Sequence, residues 1–137
     1  MAEQETDRAI IIDDEESVCE TLELFLSNMG FFEEIVISMD GNEALKKLTN
    51  QNYSIILLDL NMPGIYGFEV IDKLKEEHKA DETFIQRVII VSGGLGIDNI
   101  EKAKSLGVKH FLAKPFDQRE FRSKVQKIYT IIKARMA

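Results

Sequence analysis

Short runs of β-branched and aliphatic residues punctuate the chain at 9–12, 35–37, 55–58, 88–91 and 110–112. Each is too short for an ordinary helix, and each is predicted as a strand. Between them the apolar positions fall into helical period. The clearest stripe is Val18, Leu22, Phe25, Leu26 and Met29, with Gly30 placed to cap its C-terminus. Asp40 with Glu43, and Asp117 with Glu120, put a capping acid three residues before a glutamate, a pattern that opens helices by satisfying free backbone N–H groups. The last helix carries Phe121, Val125, Ile128 and Ile132 on one face. Residues 1–7 are polar without any apolar period and are predicted as a disordered lead-in to a single domain over 8–137. No second domain is expected after it.

Strands that alternate with helices predict a parallel sheet covered on both faces, and the apolar density at 10–12 and 55–58 suits strands buried on both sides. The expected class is α/β, a (βα)5 doubly wound domain. Pro63 and Pro115 both fall just after predicted strands, where turns belong. With 137 residues and 45% hydrophobic content, the chain can bury one core without disulfides.

Charge narrows the function. The balance of 24 acidic against 17 basic residues, net −7, repels nucleic acid phosphates and anionic membranes, so neither is expected as a direct partner. A lone Cys19 has no partner for an intrachain disulfide, and no run approaches the ~20 apolar residues that span a bilayer, which together predict a cytoplasmic protein. Cys19 borders the first helix's apolar stripe and reads as a small buried hydrophobe. His78 and His110 lack metal-ligand spacing and receive no role.

Ligands of open α/β sheets bind at the carboxyl ends of the strands. Here those ends are polar: Asp13, Asp14 and Glu15 after the first run, Asp59 after the third, Ser92 after the fourth, Lys114 shortly after the fifth. Two unit charges ~4 Å apart repel by about 4 kcal/mol at an effective dielectric of 20, so gathering Asp13, Asp14 and Asp59 requires a cation. Oxygen-only ligands with room for water suit Mg²⁺, which often shares its site with a phosphate. Lys114 offers a second positive charge, Ser92 a hydroxyl for a phosphoryl oxygen, and Asp59 a carboxylate able to attack phosphorus.

The acidic pair Asp13-Asp14, the stretch Asp59-Leu60-Asn61-Met62-Pro63-Gly64, Ser92, and Lys114-Pro115-Phe116 together resemble the signature of response-regulator receiver domains of the single-domain, chemotaxis-regulator type. The resemblance implies a flavodoxin-like fold with strand order 2-1-3-4-5. It also implies that Asp59 is the phosphoacceptor, that Asp14 binds Mg²⁺ directly, that Asp13 assists through water, and that Asn61 adds its backbone carbonyl to the metal. Ser92 matches the switch hydroxyl, Lys114 the family's lysine, and Phe111 the switch aromatic. Ser92 stands where Thr is commoner and Phe111 where Tyr is frequent, so Phe111 can signal only by packing. By the same resemblance the phosphoryl donor is a histidine kinase or a histidine phosphotransfer protein, the output is a changed surface of the fourth helix, fifth strand and fifth helix that engages a downstream protein, and a phosphorylation-dependent dimer is allowed. The glycine-rich stretch Ser92-Gly93-Gly94-Leu95-Gly96 predicts a mobile fourth-helix region.

Plainer readings compete. Asp13, Asp14 and Glu15 can serve merely to complement a helix dipole. Tyr129, Ile131, Leu95, Ile97 and Ile100 suit either docking or core packing. A haloacid-dehalogenase-like phosphotransferase also uses a nucleophilic Asp after a strand, but needs a second Asp where this chain has Asn61. A degenerate receiver acting as a constitutive interaction module fits poorly with the full set of acids, Ser92 and Lys114. No glycine-rich phosphate loop follows the first strand, which disfavours a nucleotide- or flavin-binding protein.

Overall fold

Apolar residues on both sides of the backbone make the central strands. In β1 (Arg8–Ile12) and β3 (Ile55–Leu58), Ile10, Ile12, Ile56 and Leu58 face one layer of helices, while Ala9, Ile11, Ile55 and Leu57 face the other. A strand with no solvent face must be covered twice, and the remaining elements supply the cover. The computed structural model describes residues 7–62, 65–77, 83–93 and 95–136. In chain order the other elements are α1 (Glu16–Met29), β2 (Glu34–Ser38), α2 (Gly41–Asn50), α3 (Gly67–Glu77), a 3-10 turn (Phe84–Arg87), β4 (Val88–Ser92), α4 (Ile97–Ser105), β5 (His110–Ala113) and α5 (Gln118–Met136). The sheet is five-stranded and parallel, in the order β2-β1-β3-β4-β5. This is the doubly wound fold expected from the alternation of strands and helices.

Two cores flank the sheet. One packs Ala44 and Leu48 of α2, Val70, Ile71 and Leu74 of α3, and Ala103 of α4. The other packs Cys19, Leu22 and Leu26 of α1 against Phe121, Val125, Ile128 and Ile132 of α5. Both predicted stripes thus point inward, at about 1.5–3 kcal/mol for each large apolar side chain fully buried.

Local signals act as anticipated. Gly30 closes α1 at φ 72, a left-handed conformation that a side chain would strain. Asp40 caps α2 by accepting hydrogen bonds from the Asn42 and Glu43 N–H groups, and Asp117 accepts from the Glu120 N–H.

Asp7, assigned by the sequence pattern to the lead-in, is anchored to the domain. Its carboxylate accepts hydrogen bonds from Ser54 Oγ at 3.0 Å, Tyr129 OH at 2.6 Å and Lys133 Nζ at 3.1 Å. Tyr129 also stacks on Phe31 with ring centroids 4.6 Å apart. Leu95 packs against the α2–α3–α4 core, whereas Ile97 is 76% and Ile131 39% exposed.

Candidate functional site

Register brings the chemistry together. Ile12 of β1 pairs with Leu58 of β3, so the residues that follow, Asp13 and Asp59, leave adjacent strands side by side. Their backbones stay in the sheet's hydrogen bonding: Asp13 N–H donates to Ser38 O and Asp59 N–H to Ile12 O. On the other side Ser92 pairs with Ala113, and Lys114 N–H donates to Ser92 O. All four chain segments therefore end on one edge.

Asp13 also starts α1, because its Oδ1 accepts the Glu15 N–H at 2.9 Å and turns the chain into the helix. The second oxygen, Oδ2, receives Lys114 Nζ at 2.8 Å. The same ammonium lies 3.7 Å from Asp59 Oδ2 and 3.7 Å from Glu15 Oε1. Asp13 and Asp59 are buried, Asp14 half-buried, and Ser92 is fully buried with its side chain hydrogen-bonded to Asp59. Carboxylate oxygens of Asp13, Asp14 and Asp59 all lie within 4.8 Å of one another.

Burial pushes the Asp59 carboxyl above its ordinary value, and the neighbouring Asp13 charge adds to the effect. Lys114, the Asn61 N–H and Ser92 oppose this without cancelling it. For Lys114 burial favours the neutral amine, but the hydrogen bond to Asp13 and the charges of Asp13, Asp59 and Glu15 outweigh it and hold the ammonium charged. One ammonium against three clustered carboxylates leaves two negative charges, which a divalent cation matches. The donors are all oxygen, the set that suits Mg²⁺.

The sequence-predicted residues divide as follows. Asp13, Asp14, Asp59, Lys114 and Ser92 meet at the site. Asn61 is attached through its backbone, its N–H pointing to Asp59 Oδ1 at 3.4 Å. Phe111 is half-buried in β5 and packs against the α2–α3–α4 core. Pro63, Gly64, Gly94 and His78 lie outside the described residues. Cys19 is buried in the core beside α5, donates its thiol to Asp13 O, and has its pKa pushed up to about 11 by burial and by the Asp13 charge, which suits an inert hydrophobe.

Two contacts go beyond the roles read from the sequence. Glu15 reaches Lys114, although its place at a helix start suggests only a dipole role. Gly67 opens α3 directly against the Asp59-Leu60 backbone, where an added Cβ would stand 2.7 Å from Asp59 O and 2.9 Å from Leu60 Cα. A glycine at a helix start gives no hint of that approach.

Comparison with known proteins agrees with this geometry. The family described as "response regulator receiver domain" matches residues 9–126. Sporulation initiation phosphotransferase F of Bacillus subtilis is 31% identical over 88% of this chain and 92% of its own length, and protein PilG of Pseudomonas aeruginosa is 28% identical over 86% and 85%. The chain spans about half, 48%, of the alkaline phosphatase synthesis transcriptional regulatory protein PhoP of Bacillus subtilis, at 27% identity. Among solved structures, the response regulator TrrA of Thermotoga maritima, determined with Mg²⁺ and BeF, superposes with a TM-score of 0.73 at 29% identity over 90% of this chain and 99% of its own. CheY of Borrelia burgdorferi, determined in a complex with CheX, BeF3 and Mg²⁺, gives 0.77 at 25% identity over 90% and 89%. Aspartate phosphorylation and a Mg²⁺ requirement are general features of this group. Fold, clustered acids and the match across most of the chain converge: the protein belongs to the response regulator receiver domain family.

Proposed function

We propose that Asp59 is the phosphoacceptor of a phosphorylation-controlled signalling switch. The observation that carries this reading is the buried Asp59 carboxylate at the end of β3, with Lys114 Nζ 3.7 Å away and Asp13 and Asp14 alongside. An Asp59 oxygen attacks the phosphorus of a phosphohistidine donor. The new O–P bond forms as the donor's P–N bond breaks, and the nitrogen keeps the electron pair and takes a proton from solvent. Asp13, Asp14, the Asp59 carboxylate and the Asn61 backbone carbonyl would hold Mg²⁺. When bound, that ion neutralises charge on the transferring group. Lys114 moves from carboxylate to phosphoryl oxygen, and the Ser92 hydroxyl, already hydrogen-bonded to Asp59, becomes a donor to the product.

Ser92 ends β4 beside the site, and Phe111 lies in β5, the edge strand paired with β4. The shift of Ser92 toward the phosphoryl group frees space that Phe111 fills by turning inward, which alters the surface of α4, β5 and α5 for a downstream protein or a relay partner. The donor is a histidine kinase or a histidine phosphotransfer protein. No described helix is long and apolar enough to cross a membrane, and together with the buried, unpaired Cys19 this supports a cytoplasmic location. Asn61, exposed where a phosphatase of the haloacid-dehalogenase type places its acid, supports an acceptor with slow loss of the group rather than a turnover enzyme.

The test is incubation with Mg²⁺ and a small acyl phosphate, with Asp59→Asn as control. Stoichiometric, base-labile phosphate in the wild type and none in the variant supports the reading. Sustained release of phosphate over many turnovers, or equal labelling of the variant, refutes it.

A further inference from the structure

Asp13 and Asp59 leave neighbouring strands, and one corner of the fold reaches the backbone behind both. It is the turn from β2 into α2, over residues 38–41. Ser38 is buried, and its carbonyl accepts the Asp13 N–H at 3.1 Å. Its hydroxyl donates to Asp40 O at 3.0 Å, which turns the chain directly into the capped start of α2. Gly41, the first residue of α2, then packs on Ile65, a buried residue shortly before α3. A Cβ on Gly41 would overlap Ile65 Cγ2 outright and stand 3.0 Å from Ile65 O. Two residues beyond Ile65, Gly67 lies against Asp59 O and Leu60 Cα, and its N–H donates to Leu60 O.

Glycine at position 41 has a specific cause. Its φ is not positive, and alanine is the better helix former, so neither backbone conformation nor propensity calls for it. Close approach to Ile65 does. The path from Asp13 to Asp59 thus runs through Ser38, Gly41, Ile65 and Gly67, with a hydrogen bond, a covalent turn or a packing contact at each step. The direct pairing of β1 with β3 ends where the Asp59 N–H donates to Ile12 O. Past that bond, this path is a second backbone connection between the two acids. From it we infer that the 38–41 corner is a brace that sets the separation of Asp13 and Asp59, with Ser38 and Gly41 as positioning residues for the ion and the phosphoryl group. A metal ion senses the placement of its ligands within fractions of an ångström, so support behind the ligands carries into affinity. The inference rests on the reading of Asp59 as a Mg²⁺-dependent phosphoacceptor, and it adds what holds the acids in register.

The test separates support of the site from support of the fold. On the whole chain, titration calorimetry reads Mg²⁺ affinity without any phosphodonor, acyl phosphate labelling at saturating Mg²⁺ reads the rate, and urea unfolding without Mg²⁺ reads stability. Gly41→Ala is expected to weaken Mg²⁺ binding about tenfold, the low end for groups that support metal ligands, and to slow labelling. Combining it with Ile65→Leu moves the side-chain branch from Cβ to Cγ at equal volume, and is expected to restore most of both. Ser38→Ala removes the bond to Asp40 O without overpacking and is expected to weaken Mg²⁺ binding about threefold, a second reading should Gly41→Ala fail to fold. Ile128→Val, in the core on the other side of the sheet, lowers stability and should leave affinity and rate at the wild-type level. Variants at the corner that lose stability but keep Mg²⁺ affinity and rate overturn the inference. So does an Ile128→Val that loses as much as Gly41→Ala, or a loss in Gly41→Ala that Ile65→Leu does not relieve. A wild type that neither binds Mg²⁺ nor labels removes the phosphoacceptor reading and this inference with it, whereas a normal wild type beside equally active Ser38→Ala and Gly41→Ala removes only this one.

Discussion

Gly67 lies over the Asp59 carbonyl so closely that a Cβ on Gly67 would stand 2.7 Å from that oxygen. The N–H of Gly67 meanwhile donates to Leu60 O at 3.1 Å, so α3 is pinned to the segment that carries Asp59. Both groups in the close approach are backbone, and neither can swing aside. Gly67→Ala is expected to destabilise the domain by about 1–3 kcal/mol, the range for overpacking, and to slow acyl phosphate labelling of Asp59. Chemical denaturation and labelling rates on the same sample check this, and an unchanged midpoint would contradict it.

Lys114 is the only ammonium placed within reach of both Asp13 and Asp59 among the described residues. Lys114→Met in Mg²⁺-free buffer leaves two buried carboxylates facing each other and is expected to cost about 3 kcal/mol, the lower end for breaking a buried pair, because the lysine retains some solvent contact. Adding Asp59→Asn to that variant removes one of the two charges and should recover about 1–2 kcal/mol. Urea unfolding of the single and double variants measures both terms. Strict additivity would show that Lys114 and Asp59 do not interact.

The acidic cluster predicts a metal-dependent gain in stability. At a Mg²⁺ concentration about tenfold above its dissociation constant, binding to the folded state alone contributes about 1.4 kcal/mol, or a rise of roughly 4–8 °C in Tm for a domain near this size. Chelation reverses it. Asp14→Asn, which removes a half-buried carboxylate of the cluster, should abolish the rise, and thermal scans with and without Mg²⁺ decide the matter. A rise that survives in the variant would place the ion elsewhere.

Asp7, the first described residue, is tied to α5, and its pKa is lowered: burial alone would raise it, but hydrogen bonds from Tyr129, Lys133 and Ser54 and the Lys133 charge prevail. Tyr129 answers in kind, its phenol pushed up to about 12 by burial and by Asp7. A carboxyl depressed in the folded state contributes stability that is present above its unfolded value of 3.8 and is lost as pH falls through its folded value. Asp7→Asn should therefore cost about 1 kcal/mol at neutral pH, with the gap to wild type closing as the medium becomes more acidic than the folded pKa. Denaturation across pH reads this directly, and a gap that widens on acidification would contradict it.

Much of this was legible in the chain because the decisive signals are local. A four-residue apolar run followed directly by Asp is a signal contained in one strand and the residue after it, and the cap at Asp40 or the turn at Gly30 depends on neighbours within one helical turn. The site followed because parallel strands must deliver their ends to one edge. What stayed hidden depends on distance along the chain. Asp7 meets Ser54 across 47 residues and Tyr129 across 122, and no local period records such a pairing. The contact of Gly67 with Asp59 depends on the angle at which α3 leaves the sheet, and the choice of Lys114 for Asp13 over Asp59 depends on fractions of an ångström.

The central claim is that Asp59, among the clustered carboxylates, forms the bond to phosphorus. Borohydride reduction of the acyl phosphate-treated protein converts an aspartyl phosphate to homoserine, and peptide mass spectrometry then locates it. The account predicts homoserine at position 59 alone, dependent on Mg²⁺; homoserine at position 13 or 14, or none at all under conditions that fully label a known receiver domain, would contradict it.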